Sequence, residues 1–188
     1  MKVLILGATG ESLQSSRLMI GFIGLPASQA FVRGGHIVYG QTRSEKSTGY
    51  LVKEEIIPVV LDPGSDEGVE AFVKVAKDVD VGESSYFVEG GLIVVIDTVP
   101  FTSPEGPLKL FNAFVKAVDS RPPGARPSYI YCGGSWTMSR GGGGLDKWTD
   151  ERQPNAGRLQ LTKWRSEVEK VVLTCESLLS ILEQSRDR

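Results

Sequence analysis

A glycine-rich turn is the first feature of this chain that could do chemistry. Gly7-Ala8-Thr9-Gly10 comes directly after Lys2 to Leu6, a short aliphatic run that predicts a buried β-strand. Glycine lets the backbone approach a phosphate closely, and a helix that starts after such a turn presents its N-terminal amides to the anion. These residue types in this position therefore predict a turn that binds the pyrophosphate of a dinucleotide.

The turn is interrupted in the sequence. The glycine that should close the motif soon after Gly10 is missing, because position 13 is Leu13. Gly24 occurs later, and removal of Glu11 to Gly21 would leave Gly-Ala-Thr-Gly-Phe-Ile-Gly. Because the inserted segment separates the turn from the helix that should donate its amides, we expect it to weaken cofactor binding.

With the insert removed, the opening resembles that of the extended and atypical short-chain dehydrogenase/reductase family, which includes NAD-dependent epimerase/dehydratase and NmrA-like members. The matching pieces, in the family's order, are Gly7, Gly10, Gly24, Gly35-His36, Val38 and Arg43. The resemblance extends to about Leu173. It implies an NAD(P)-binding, oxidoreductase-like protein that acts on a small molecule of unknown identity.

The residue after the second predicted strand bears on the choice of cofactor. An acidic residue there would bind the ribose hydroxyls of NAD, whereas an arginine accommodates the 2'-phosphate of NADP. Arg43 therefore predicts NADP as the cofactor, with NAD as the alternative. If Arg43 does not bind a cofactor, it is a solvated cation on a loop. The resemblance further implies that Asp62 lies near the adenine, and that Thr98 and Val99 lie near the nicotinamide ribose. The remaining candidate cofactor-binding residues are Gly7, Thr9, Gly10, Phe22, Ile23 and Gly24.

The family's proton donor is missing. The resemblance implies a serine after the fifth strand, which Ser135 matches, and a Tyr-x-x-x-Lys pair on the next helix. Aligning Lys163 with that lysine puts Leu159 at the tyrosine, and the alternative register puts Leu161 there and Arg165 at the lysine. Leucine cannot exchange a proton, so tyrosine-dependent carbonyl reduction is not supported.

Ser135 and Lys163 remain the candidate catalytic residues, and we expect them to orient a ligand. The alternative is that neither has a role in the site: Ser135 is then a hydroxyl in a turn and Lys163 a solvated residue of the helix. The missing tyrosine leaves two other functions open: a non-catalytic module that senses NADP, and an inactive fragment. Cys132 has no histidine nearby in the sequence, so we predict a buried, inert thiol.

A second insert precedes the fourth predicted strand. Deleting Gly82 to Val94 restores Asp80-Val81 followed by Val95-Ile96-Asp97, the order usual in the family. Gly-Glu-Ser occurs at the start of both inserts, at Gly10 to Ser12 and at Gly82 to Ser84, and it can be encoded with GTGAGT, a strong splice-donor sequence. We hypothesise that both are translated introns of a eukaryotic gene, with real loop insertions as the alternative. Codons without GTGAGT at both sites would refute the intron hypothesis.

The elements that must hold these residues form an alternating pattern. Continuous apolar runs, typical of parallel strands covered on both faces, lie at Lys2 to Leu6, His36 to Tyr39, Ile56 to Leu61, Leu92 to Val99 and Tyr129 to Tyr131. Helical periodicity lies between and after them, at Pro26 to Arg33, Asp66 to Lys77, Leu108 to Val118 and Leu161 to Gln184. The pattern predicts an α/β fold, a Rossmann-like doubly wound parallel sheet with helices on both faces. We expect residues 1–188 to form one such domain, without the substrate-binding region that usually follows.

Composition excludes several classes of function. The 21 basic residues against 23 acidic ones give no electrostatic signal for nucleic acid or a membrane surface. A single histidine and two cysteines exclude a histidine-based metal cluster and a disulfide framework, and favour a reduced, cytoplasmic location. No apolar run could form a signal peptide or a membrane span. The 22 glycines are about 12% of the chain, against about 7% on average.

Overall fold

Strands and helices alternate along the chain. The computed structural model describes residues 1–9, 22–77, 94–121, 126–133 and 163–175. The strands are β1 (Lys2–Leu6), β2 (Ile37–Thr42), β3 (Ile57–Val60), β4 (Val94–Asp97) and β5 (Ser128–Tyr131). The helices are α1 (Gly24–Arg33), α2 (Thr48–Lys53), α3 (Asp66–Lys77), α4 (Glu105–Val118) and α5 (Arg165–Leu173), with a 3₁₀ turn at Glu45–Ser47.

The five strands form one parallel sheet in the order β3-β2-β1-β4-β5. The chain moves outward from β1 to β3 on one side, returns to β4 beside β1, and continues outward to β5. This order is that of a doubly wound sheet whose direction reverses between β1 and β4. The predicted fold class is confirmed.

Helices cover both faces of the sheet because the central strand is apolar on both sides. Val3 and Ile5 face α1 and α2, where Leu25 and Leu51 join their cluster. The alternate residues of β1, Leu4 and Leu6, face α3 and α4, where the cluster includes Phe72, Leu110 and Phe114. Successive side chains of a strand point to opposite faces, so a fully buried strand must be apolar throughout.

Several elements differ in their bounds from the sequence-based expectation; for example, β4 ends at Asp97 rather than Val99 and α4 begins at Glu105 rather than Leu108. Helix α2 was not predicted; its short span buries only Leu51. β2 continues past Tyr39 to Thr42, so the strand includes the polar Gln41 and Thr42. The final helix ends at Leu173, where Thr174 Oγ1 donates to the Lys170 carbonyl, rather than continuing through Cys175. Residues 176–188, where the pattern predicted further helix, lie outside the described residues.

Two negative findings apply to the described ranges. None of the helices there is long and apolar enough to cross a membrane. No group of three or more histidine, cysteine or acidic side chains in the same ranges could hold a metal ion.

Candidate functional site

The carboxyl edge of the sheet brings together residues that are far apart in the sequence. In a parallel sheet every strand ends at this edge, and ligands of doubly wound folds bind where the strand order reverses. Gly7 follows β1 and Thr98 follows β4, the two strands that flank the reversal. Arg43 follows β2, and Asp62 comes shortly after β3.

The end of β1 and the end of β4 meet in direct contact. Gly7 has a φ of +79°, and a β-carbon built on it would lie 2.8 Å from Thr98 Oγ1. The Thr98 hydroxyl donates to the Leu6 carbonyl at 2.6 Å, and its backbone amide donates to the same oxygen at 3.1 Å. Any residue other than glycine at position 7 would be strained in backbone conformation and would collide with Thr98.

Helix α1 begins against the glycine turn. A β-carbon on Gly24, its first residue, would overlap the carbonyl oxygen of Gly7 and crowd Ala8. The expectation that the insert holds this helix away from the turn is wrong, because packing between Gly24 and Gly7 brings the two segments together. The helix has no side-chain cap at Ile23 and no acidic residue in its first turn. The amides of Gly24 and Leu25 can therefore interact with an anion.

The two residues before Gly24 lie at the open side of this edge. Phe22 is 96% exposed and Ile23 is 54% exposed. Both were predicted to contact a cofactor, and their backbone leads into the α1 N-terminus beside the glycine turn. Gly10, the last residue of the turn motif, lies outside the described residues.

Two polar residues at the end of β2 hold the other side of the turn. Gln41 is 2% exposed; its Oε1 accepts from the Gly7 amide at 2.8 Å, and its Nε2 donates to the Leu61 carbonyl at 2.6 Å. The Thr9 hydroxyl donates to the buried Thr42 hydroxyl at 2.8 Å. Sequence reasoning missed both residues. The available signal was a pair of polar residues directly before Arg43, in a segment that continues an apolar strand.

Arg43 lies on an exposed loop at the carboxyl edge. The next residue, Ser44, accepts a hydrogen bond from the Lys46 amide at 3.3 Å and so caps the 3₁₀ turn. The Ser44 amide is 3.3 Å from Thr42 Oγ1, to which it donates. The loop that presents Arg43 is therefore anchored to Thr42, which also contacts the glycine turn.

Asp62 has a structural partner after β3. Its Oδ1 accepts from the Gly64 amide at 3.0 Å, forming a turn that leads into α3. Gly68 of α3 packs so closely that a β-carbon there would overlap the Asp62 backbone carbonyl. The aspartate itself is exposed at the carboxyl edge, on the side of the sheet where Arg43 also lies.

A buried carboxylate lies at the end of β4. Asp97 is 1% exposed; its Oδ1 accepts from the Val99 amide at 3.0 Å and its Oδ2 from the Tyr129 hydroxyl at 2.8 Å. Burial raises the pKa of Asp97, and the two hydrogen bonds and the charge of Arg165 oppose that rise. Burial also raises the pKa of Tyr129 well above its usual value, as does the adjacent carboxylate. Both Thr98 and Val99, predicted near the nicotinamide ribose, follow this anchored aspartate.

Helix α5 is fastened to the sheet by Arg165. Its guanidinium donates to the Tyr131 hydroxyl at 3.3 Å and to the Phe101 carbonyl at 3.2 Å. It also lies 4.7 Å from the ring centre of Trp164. In one register of the family resemblance Arg165 takes the lysine position; here the guanidinium holds α5 to β5 and to the segment after β4.

The candidate catalytic residues are only partly located. Lys163 is exposed in the turn before α5, and its carbonyl accepts from the Ser166 hydroxyl at 2.6 Å. Ser135 lies outside the described residues. Cys132 is partly buried after β5, and burial together with the charge of Asp97 raises the pKa of its thiol. The thiol is therefore less buried than predicted, while its raised pKa favours the protonated form, which is the less nucleophilic one.

Comparison with known proteins finds structural neighbours only. No protein-family model and no curated protein matches the chain. Yeast methylglyoxal/isovaleraldehyde reductase Gre2, solved in complex with NADPH, matches with a TM-score of 0.57 at 14% identity, over 100% of this chain and 54% of Gre2. An isoflavone reductase matches with a TM-score of 0.52 at 17% identity, over 92% of this chain and 45% of that one.

A nucleoside-diphosphate-sugar epimerase from Pseudomonas aeruginosa matches with a TM-score of 0.50 at 20% identity, over 90% of this chain and 46% of the epimerase. The chain thus spans about half the length of these three proteins. At such identities the likeness concerns the fold. The chain has the Rossmann-like α/β fold found in these two reductases and this epimerase.

Proposed function

We propose that this chain is an NAD(P)-binding, oxidoreductase-like protein of the extended or atypical short-chain dehydrogenase/reductase family, with a small molecule as substrate. The observation that carries the proposal is the contact between Gly24 and Gly7. It joins the two halves of the interrupted glycine motif where the strand order reverses. The proposal assigns residues 1–188 to one dinucleotide-binding domain and places the protein in the cytoplasm.

The residues at this edge fit the pyrophosphate of a dinucleotide. Gly7 and Gly24 leave no side chain between the turn and α1, so the backbone is accessible to a phosphate. The first turn of α1 lacks both a capping side chain and an acid, and its dipole favours an anion. Pro26 has no N–H, so the amides available there are those of Gly24 and Leu25. Bound NAD(P) would supply hydride transfer; the chain's own residues would bind and orient it.

NADP is the preferred cofactor in this proposal. Arg43 follows β2, the position from which a guanidinium can pair with the 2'-phosphate. The exposed Lys46 lies on the same loop and adds a second positive charge. Asp62 takes the adenine side, and Thr98 with Val99 takes the nicotinamide ribose side, as the family resemblance implies.

A non-catalytic, NADP-sensing role of the NmrA-like kind is the second candidate. The observation in its favour is that leucine occupies both candidate positions for the family tyrosine, Leu159 and Leu161. Ser135 and Lys163 would then orient a ligand without transferring a proton to it.

A titration tests the proposal and a turnover assay separates the two candidates. NADPH and NADH are titrated into the purified chain by calorimetry, with cooperative melting as the control for folding. We expect saturable binding with NADPH the tighter ligand. A folded chain that binds neither dinucleotide would overturn the proposal. NADPH oxidation with a panel of aldehydes and ketones would favour the reductase, and binding without turnover would favour the sensor.

A further inference from the structure

The side chain of Gln41 makes two hydrogen bonds that no local sequence pattern predicts. Its amide is buried, and both of its ends are used: Oε1 accepts from the Gly7 amide, and Nε2 donates to the Leu61 carbonyl. Reversing the amide would set a donor against the Gly7 N–H and an acceptor against the Leu61 oxygen. The two partners therefore fix one orientation of the side chain.

Gln41 links the ends of β1 and β3, two strands that are not neighbours in the sheet. The β1–β2 pairing ends at Ile5 and Gly40, and β2 separates β1 from β3 in the sheet. Gly7 and Leu61 each lie just past the end of their own strand. The glutamine side chain bonds the Gly7 amide at 2.8 Å and the Leu61 carbonyl at 2.6 Å, and so connects these two ends across β2.

The next residue of β2 makes a second connection to the same turn. The Thr9 hydroxyl donates to Thr42 Oγ1 at 2.8 Å. Consecutive residues of β2 thus hold both sides of Ala8, while Thr98 and Gly24 close on Gly7 from β4 and α1. None of these contacts involves the residues between 10 and 21.

We propose that Gln41 is a positioning residue that holds the glycine turn in its dinucleotide-binding conformation. This inference rests on the proposed function. The Gly7 N–H serves Gln41 rather than the phosphate, and the α1 amides carry the pyrophosphate. Because Gln41 acts on the part of the site that NADPH and NADH share, its loss weakens both ligands alike. Loss of Arg43, by contrast, affects NADPH alone.

Two substitutions remove the interaction in different ways. Gln41→Leu keeps the approximate size of the side chain and leaves the Gly7 amide and the Leu61 carbonyl without a partner. Gln41→Glu keeps the acceptor for Gly7 but sets an ionised oxygen against the Leu61 carbonyl. Protonation restores the missing donor, so the glutamate variant regains function in acid. The matched control is Gln29→Leu, which removes the hydrogen bond from a partly buried glutamine to Glu54, made between α1 and the end of α2.

The experiment measures dissociation constants for NADPH and NADH together with melting temperatures. Amide hydrogen exchange at Gly7 is followed in the ligand-free chain. We expect Gln41→Leu to weaken both dinucleotides about tenfold and equally, and to speed exchange at Gly7. We expect Gln41→Glu to bind more tightly, relative to the wild type, at about pH 5 than at about pH 8. Gln29→Leu should keep the affinity of the wild type.

The outcomes separate this inference from the proposed function. A wild-type chain that binds neither dinucleotide overturns the proposed function. If the wild-type chain binds and the folded Gln41 variants have the same affinity as the wild type at both pH values, only the positioning role is overturned. A lower melting temperature with unchanged affinity in either variant also overturns it, since that is the result of a purely structural role. If Gln41→Leu does not fold, the pH dependence of Gln41→Glu decides.

Discussion

Gly24 begins α1 in direct contact with Gly7, although residues 8 to 23 separate them in the chain. A β-carbon at position 24 would overlap the Gly7 carbonyl oxygen. The close approach of helix and turn therefore depends on the absence of a side chain. The same contact brings the α1 N-terminus to the place where the sheet reverses direction.

Gly24→Ala should disrupt both packing and binding. The added methyl group forces the helix away from the turn, which costs about 1–3 kcal/mol of folding stability. We expect NADPH binding to fall about tenfold or more, because the α1 amides move away from the phosphate. Chemical denaturation and calorimetry measure the two effects.

The control for that substitution is Gly49→Ala. Gly49 lies in α2 and a β-carbon there has no heavy atom within 4 Å. Alanine in a helix is favoured over glycine by about 0.5–1 kcal/mol, so this variant should be at least as stable as the wild type. If Gly24→Ala and Gly49→Ala have the same stability and the same NADPH affinity, Gly24 has no special packing role.

Arg43→Ala should change the choice of dinucleotide. We expect NADPH to bind about tenfold more weakly, since a charge-assisted pair to the 2'-phosphate is lost, while NADH is unaffected. Arg33→Ala, an exposed cation at the end of α1, is the matched control. Equal affinity of the wild type for both dinucleotides, unchanged in Arg43→Ala, would eliminate the NADP preference.

Deleting Glu11 to Gly21 tests the effect of the insert. The sequence alone predicts that deletion tightens NADPH binding, because the insert separates α1 from the glycine turn along the chain. Since α1 already lies on the turn, we now expect NADPH affinity to stay within about threefold, with a small gain in stability from the shorter loop. Titration and melting of the full and shortened chains measure both. A tenfold gain in affinity would support the sequence-based expectation instead.

Asp97→Asn should alter the dependence of stability on pH. Burial raises the pKa of Asp97 in the folded protein above its value in the unfolded chain. The folded state therefore binds this proton more tightly. Protonated Asp97 therefore stabilises the fold fully at pH values below its pKa in the unfolded chain. This stabilisation is lost as pH rises through the pKa of Asp97 in the folded protein. The asparagine variant lacks this loss, so its stability relative to the wild type should increase with pH.

Melting temperatures of both proteins between about pH 3 and pH 8 provide the measurement. The difference between the two proteins isolates Asp97 from every other titrating group. An asparagine variant whose stability relative to the wild type stays constant, or falls, as pH rises would mean that burial does not dominate the carboxylate.

The sequence predicted the residues that follow each strand better than the contacts between them. The glycine turn after β1, Arg43 after β2 and Thr98 after β4 are all found at the carboxyl edge. Gln41 and Thr42 were missed because a polar residue in a strand indicates a solvent-facing position until the neighbouring strands are known. Helix α2 was missed because its short span has only Leu51 as a buried residue, too little for a periodic signal.

The sequence by itself determined which segments along the chain form strands and, apart from α2, which form helices. It also determined the apolar character of β1 and the residue types at the strand ends. These are local properties, and the periodicity of a short segment is enough to express them. Only the tertiary structure decided that Gly24 closes the turn, that Gln41 connects Gly7 to Leu61 and that Tyr129 partners Asp97. Each of these contacts joins segments that are distant in the chain. It forms because the strand order β3-β2-β1-β4-β5 sets those segments side by side, and no local pattern encodes that order.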